Sequence, residues 1–398
     1  MSFVSVSGFK GINNRQDPTA LGLEWQLSAN NTLCDTTEYL IRRPGYKEFL
    51  TSVADVFGAQ DGRMFVVTTG DVLLEVKSNG TTITRATGFT GGRFEWAELG
   101  YAIFALSETT AWAIYPDRVV AWGIPVLDAP TVSAVSGALP VGKYQVACIL
   151  QAPDGRQGGC VGVSSISVDT QGITVESPAV AGYTTHAYLS APDGAVLYHA
   201  GVLASGSLTV TALPAKSSKL TTLHCYPPVL NGLVAAHANR LCIAVWEGQH
   251  DRTALYWSKP DAPHLFDLET DYQLVSGRPM LLTSVGGVLL LGTDRAIYAV
   301  PAGGAASMVA AYGALPDTAA TLDEGKVAFW TEKGLCVFSP FQNLTDAHLV
   351  PDNRTYSTGT VLQHNGGLYY LCAQRGVVRL KEPGISYTKL TVVTEVPS

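Results

Sequence analysis

Three features of the sequence predict an all-β fold, a β-propeller of about six blades with an inserted β-sandwich (Ig/fibronectin III-like) domain. Helical periodicity is almost absent along the 398 residues. Short apolar strands occur in pairs around polar turns, and the pairs recur about every 40 residues.

In chain order, residues 1–50 form an N-terminal segment expected to pack on or close the propeller. Residues 51–127 hold the first blades. "MFVVTTGDVLLEV" (Met64 to Val76) is an apolar strand, a polar turn and a second strand in 13 residues, and "AIFALSETTAWAIY" (Ala102 to Tyr115) repeats it with one residue more. β-Branched and aromatic residues flanking Gly, Asp and Thr turns are the hairpin pattern. Residues 228–398 hold the second part of the propeller. A looser copy, "LCIAVW" with the turn "EGQHDRTA" and "LYWS", starts at Leu241, followed by "VLLLGTDRAIYAV" (Val288 to Val300), "VAFWTEKGLCVFS" (Val327 to Ser339) and "LYYLCAQRGVVRL" (Leu368 to Leu380). The starts lie 38 residues apart from Met64 to Ala102, 47 from Leu241 to Val288, then 39 and 41. Four short strands fit one such period, and so small a sheet buries its faces only by stacking on the next.

The step from Ala102 to Leu241 is 139 residues, about a hundred too many. The excess, residues 128–227, contains closely spaced short strands, "PDG" turns at Pro153 to Gly155 and Pro192 to Gly194, and Pro130 and Pro227-Pro228 at its edges. That is the pattern of a small sandwich set between two blades, whose expected role is contact.

Composition narrows the function. Charged residues are 15% of the chain, against a usual ~25%, and apolar residues 46%, which favours a subunit whose surface is covered by neighbours. A net charge of −7 and the lack of a basic stripe argue against gripping nucleic acid. No run reaches the ~18 apolar residues of a membrane helix, and "MSFVSVSGFKG" does not read as a signal peptide, so a soluble chain made in the cytosol is expected. The seven cysteines, without a CxxC pair, read as reduced buried thiols.

Candidate chemistry is sparse. "GGCVG" (Gly158 to Gly162) has the outline of a nucleophile elbow around Cys160, but in a β-sandwich loop rather than a strand-to-helix turn. "DLETDY" (Asp267 to Tyr272) alternates carboxylates without the glycine and closing glutamate of a calcium loop. The eight histidines lack helical zinc spacing, "QHD" (Gln249 to Asp251) reads as turn chemistry, and "PAGGAAS" (Pro301 to Ser307) lacks the ending of a phosphate loop. Sequons at Asn30, Asn79 and Asn343 matter only in a secretory pathway. Trp246, Trp257, Trp330 and Tyr370 are candidate aromatics for a binding face. No catalytic residue, cofactor or metal is expected.

"FKGINNRQDPTAL" (Phe9 to Leu21) and "ANNTLCDTTEYLIRRPGY" (Ala29 to Tyr46) resemble the opening of tailed-phage tail nozzle and tail hub proteins, the packaged-DNA stabilisation type, in which an "F.GINNR" strand leads to an "L..RPGY" turn before a propeller. The acidic residue and glycine usual before that turn are replaced here by "CDTTEYL". The matching positions are Gly11, Asn13, Asn14, Arg15, Asn30, Arg42, Arg43, Pro44, Gly45 and Tyr46, with structural roles. The resemblance implies a non-enzymatic virion tail protein assembled in the host cytoplasm as a homo-oligomer, commonly a hexameric ring. It also implies portal or adaptor rings and tail fibres as partners, and double-stranded DNA retained and then conducted through the channel without sequence-specific binding. A receptor- or glycan-binding adhesion module is the alternative, and a propeller polysaccharide hydrolase or lyase the next. Arg42 and Arg43 face opposite sides if they lie on a strand, so at most one meets a given partner, and Pro44-Gly45 suits a tight turn.

Overall fold

The computed structural model describes residues 11–13, 15–26, 32–34, 40–42, 50–213, 218–322, 325–346, 359–364, 367–372, 376–381 and 392–393. The described chain is built of strands with short 3-10 turns at Pro18–Ala20 and Gly248–His250. Among these residues there are six antiparallel meanders in the strand order of propeller blades. The first runs through Val53–Gly58, Met64–Thr68, Val72–Val76 and Thr82–Thr87, and the second through Glu95–Leu99, Ala102–Leu106, Ala111–Ile114 and Val119–Ala121. In the third, Gly232–His237, Arg240–Glu247, Arg252–Lys259 and Ala262–Phe266 are joined by Tyr272–Ser276, which pairs back on Arg252–Lys259. The fourth to sixth begin at Pro279–Val285, Ala320–Leu322 and Gly359–His364. The hairpins expected from sequence are the two central strands of these sheets. The chain is all-β and of the propeller class.

It divides into two compact units, one of Met1–Thr51, Trp246–Thr253 and Leu274–Ser398, the other of Ser52–Val245 and Ala254–Gln273. Within the second, side-chain alternation explains why the sheets stack. On Ala102–Leu106 every residue is buried. Ile103 and Ala105 face Phe65, Val67, Leu73 and Phe89 of the first blade region, with Phe89 stacked on Trp112 at 4.9 Å. Phe104 and Leu106 face Trp122, Leu241, Ile243 and Phe266 toward the third. A strand apolar on both faces has no side to give to water, so burial of each large side chain, about 1.5–3 kcal/mol, comes only with both neighbours in place. In the first unit, Leu290 and Ile297 of the fourth sheet share a core with Val327 and Phe329 of the fifth.

A hydroxyl ends the second strand of several blades and caps its own turn. Thr293 Oγ1 accepts from Ala296 N–H at 3.0 Å and donates to Ala296 O, Thr331 Oγ1 accepts from Lys333 N–H at 3.2 Å and donates to Gly334 O, and Ser107 Oγ accepts from Thr110 N–H at 2.9 Å. All three are buried. The side chain thus satisfies backbone groups that the tight hairpin leaves over.

Residues 131–210 form two further sheets in the second unit. Thr131–Ser136, Gln171–Glu176 and Ser207–Val210 make one, and Val163–Val168, Gly142–Gln151, Thr184–Ser190 and Leu197–Val202 the other. Tyr144, Val146 and Leu150 meet Ile173, Val175 and Val210 between them, the packing of two sheets face to face. The outer face of the four-stranded sheet is covered as well. Ile149, Tyr188 and Leu197 pack against Cys160, Leu220 and Leu223. The covering chain, Ser218 to Cys225, is held by His199 N–H on Ser218 O at 2.8 Å and Leu220 N–H on Leu197 O at 2.9 Å.

Candidate functional site

A polar network in the second unit lies where the double sheet of residues 131–210 meets the blades. Trp122 follows the outer strand Val119–Ala121, is fully buried between Phe104 and Phe266, and donates its Nε1–H to Pro263 O at 2.7 Å. Arg156, from the turn that begins at Pro153, reaches the same strand end. Its Nη1 and Nη2 donate to the carbonyls of Trp122 and Ala121 at 2.8 and 3.0 Å, and its Nε to Asp154 Oδ2 at 2.8 Å. Burial would raise the Asp154 carboxyl, but hydrogen bonds from Arg156 and its charge outweigh that and lower it. His264 Nε2 lies 3.0 Å from Gln157 O. A carbonyl only accepts, so Nε2 carries the proton, and burial holds the ring below the ordinary imidazole value and neutral. Backbone bonds join Tyr226 and Phe266 in both directions.

The glycines of "GGCVG" belong to this junction. A Cβ on Gly159 would run into the carbonyl of Cys225, one on Gly162 into the backbone of Ala129, and one on Gly158 would lie 2.8 Å from Ile124 Cγ2. Glycine is used here for close approach of backbones. Cys160 is fully buried and its thiol is pushed up to about 11, first by burial, which keeps it from being a thiolate nucleophile.

Beside the junction is a cleft of about 610 Å³ with Val120 and Pro153 on its wall and Arg118, Asp154, Arg156 and Tyr183 on its rim. Arg118 lies over the Tyr115 ring at 4.5 Å, and Tyr115 meets the exposed Tyr101 at 5.9 Å. Asp154 and Arg156 are engaged with each other and with backbone. What the cleft offers an incoming group is a half-exposed guanidinium, an aromatic ring and an apolar wall, which suits contact rather than proton transfer.

Of the N-terminal motif residues, Gly11, Asn13, Arg15 and Arg42 are described. Gly11–Ile12 pairs in parallel with Trp25–Gln26. Asn13 is buried; its Oδ1 accepts from the N–H groups of Arg15 and Gln16 at 3.1 and 3.3 Å, and its own N–H donates to Gln26 O at 2.8 Å. Arg15 donates to the backbone oxygen and the carboxylate of Asp346, both side chains remaining exposed. Arg42 ends the strand Leu40–Arg42, opposite Thr32. Asn14, Asn30, Arg43, Pro44, Gly45 and Tyr46 lie outside the described residues.

The other sequence candidates fall into place individually. Each carboxylate of "DLETDY" has a partner: Asp267 holds Lys259 and Thr270, Glu269 accepts from Tyr226, and Asp271 holds Arg240. In "QHD", Asp251 pairs with Arg295, and "PAGGAAS" is the turn between Ile297–Pro301 and Ser307–Ala310. Asn79 and Asn343 close local turns onto Thr81 and Thr345. Trp257, Trp330 and Tyr370 are buried and Trp246 is partly buried. Cys148, Cys160, Cys225, Cys242 and Cys336 are buried free thiols. Among the described residues one histidine pair meets, His186 with His199, which the spacing in sequence did not reveal because the partners sit on adjacent strands. Among the described residues no group of three or more His, Cys, Asp or Glu could hold a metal ion, and no helix is long and apolar enough to cross a membrane.

No protein-family profile matches the chain, and no curated protein sequence does. Among solved structures it is similar to apo AztD from Citrobacter koseri, at 14% identity over 86% of this chain and 87% of that one with a TM-score of 0.38. It is similar also to the Dos1 propeller, at 7% identity over 93% and 85% with a TM-score of 0.40. A third is Saccharomyces cerevisiae Sqt1, at 8% identity over 92% and 89% with a TM-score of 0.35.

Proposed function

We propose that the chain is a non-catalytic structural subunit of a short-tailed phage virion, of the tail nozzle or hub type, in which blades build the body and residues 128–227 form a fixed contact arm. The observation that carries this reading is the use made of the "GINNR" residues. Asn13 is buried as the core of a turn and Arg15 ties that turn to Asp346, as expected of a motif that starts a fold rather than one that binds a ligand. In this reading the subunit forms a ring, meets portal, adaptor and fibre proteins, and lets DNA pass a low-charge acidic lumen without gripping it. Negative-stain microscopy of the purified protein, alone and with virion lysate, tests it. Closed rings with an axial channel are expected; a monomer that stays monomeric in both samples overturns it.

The cleft favours a second reading, an adhesion module that takes a glycan or a fibre segment over Tyr183 and Arg118. Binding to a glycan array that Arg118→Ala and Tyr183→Ala abolish, in a protein that forms no ring, would establish that reading instead.

A further inference from the structure

His186 and His199 sit on the neighbouring strands Thr184–Ser190 and Leu197–Val202, with His186 Nδ1 and His199 Nε2 2.9 Å apart. One of the two nitrogens must carry the proton between them. His186 Nε2 is shut off from solvent and makes no hydrogen bond with the described residues. That fixes the tautomer. If His186 donated from Nε2 its N–H would be orphaned, so the arrangement without a buried unsatisfied donor has His186 Nδ1–H donating to His199 Nε2. His199 meets the Tyr188 ring edge-on at 5.4 Å, and its backbone N–H holds Ser218 O of the covering chain.

Adding a proton breaks this arrangement whichever ring takes it. A proton on His199 Nε2 sets two N–H groups against each other, unless His186 moves its own proton to the buried Nε2. A proton placed directly on His186 Nε2 makes a buried charged donor with nothing to receive it. No carboxylate forms an ion pair with either imidazole among the described residues. Tyr188 meets the pair on its own sheet and shares an apolar cluster with Cys160, and the covering chain carries the titratable residues Lys219, His224 and Cys225. His224 is turned to Glu269, 3.8 Å away, and both are exposed. Burial, then the neighbouring His199, already holds His186 below the ordinary imidazole value.

We infer that the His186–His199 pair is an acid-sensitive latch on the covering chain Ser218 to Cys225, which links the sandwich to the third blade. Above the usual imidazole range near pH 6.5 His186 is neutral and the latch is closed. Its contribution to stability is lost as the pH falls through the lowered His186 value, because the open state binds the extra proton more readily. Release lets water or an outward rotamer satisfy the new N–H, and it uncovers the outer face around Ile149 and Leu197.

Hydrogen–deuterium exchange of the full chain tests this, following peptides that span Ser218 to Cys225 at pH 7.5 and pH 5.0 after correction for intrinsic exchange. A loss of protection of at least roughly tenfold at pH 5.0 is expected in these peptides, while the central strands of the second blade stay protected. In His186→Phe that acid-dependent loss should disappear. Equal protection at the two pH values in the unaltered protein, or an unchanged loss in His186→Phe, overturns the inference. Should His186→Phe fail to fold, imidazole NMR titration of the unaltered protein decides: a His186 midpoint below the ordinary 6.5 but not below pH 5.0 supports the latch, and a midpoint at or above 6.5, or a ring still neutral at pH 5.0, sinks it.

Discussion

Single residues at the junction carry functions that their letters hide. Gly159 looked like part of a nucleophile loop, yet its lack of a side chain is what lets the backbone of Cys225 come close. Gly159→Ala should destabilise the protein by about 3 kcal/mol through overpacking of backbone on backbone, measured by denaturant unfolding. Asp267 illustrates a carboxylate that reads as a ligand and works as a brace. Burial opposes its charge, but hydrogen bonds from Thr270 and Lys259 prevail and lower it to about 2. Because the folded value is depressed below the ordinary 3.8, its contribution of about 2 kcal/mol is complete above pH 4 and lost as pH falls through 2. Asp267→Asn should flatten that part of the stability–pH curve; an unchanged slope would rule the brace out. Neither role was legible in sequence, since each depends on a neighbour far along the chain or across a turn.

Elements were far more legible than the contacts between them. Met64–Thr68 with Val72–Val76, and Val288–Thr293 with Ile297–Pro301, fall on the hairpins read from alternation and turn letters, because a central hairpin is a local object with strong β formers on both sides. The outer strands of each blade, such as Val119–Ala121 or Gln342–Asn343, are short and weakly patterned, and only the repeat length implied them. The capping hydroxyls were hidden for another reason. Thr293, Thr331 and Ser107 resemble ordinary turn residues until their burial is known. Thr331→Val keeps the shape and removes the bonds, so it should cost about 2 kcal/mol in thermal unfolding, whereas a turn residue on the surface such as Thr81 should cost less than about 0.5 when changed alike.

For the chain as a whole, the sequence showed the all-β propeller class but not how the double sheet of residues 131–210 is seated against the blades. Arg156, His264 and the Tyr226–Phe266 pairing are matches between distant segments that no local pattern records. The cleft beside Arg118 was likewise invisible, being made by three segments, around residues 118–121, 152–156 and 182–183, brought together by that seating. Replacing residues 128–227 by a short Gly/Ser joint should leave blades that unfold cooperatively, at a lower midpoint because the backbones of Trp122 and Phe266 lose their partners Arg156 and Tyr226. Non-cooperative melting by calorimetry would show that the sandwich and blades fold only together.

The same seating determines how a pull on the arm would travel. A tug at the tip of the sandwich does not reach the blades through the two chain crossings alone, since the Arg156 fork, the His264 link and the paired backbones of Tyr226 and Phe266 stand side by side across the joint. Bonds loaded side by side share force and give way together, so the joint should behave as a stiff strut that transmits torque, yielding abruptly in single-molecule stretching rather than unzipping one link at a time.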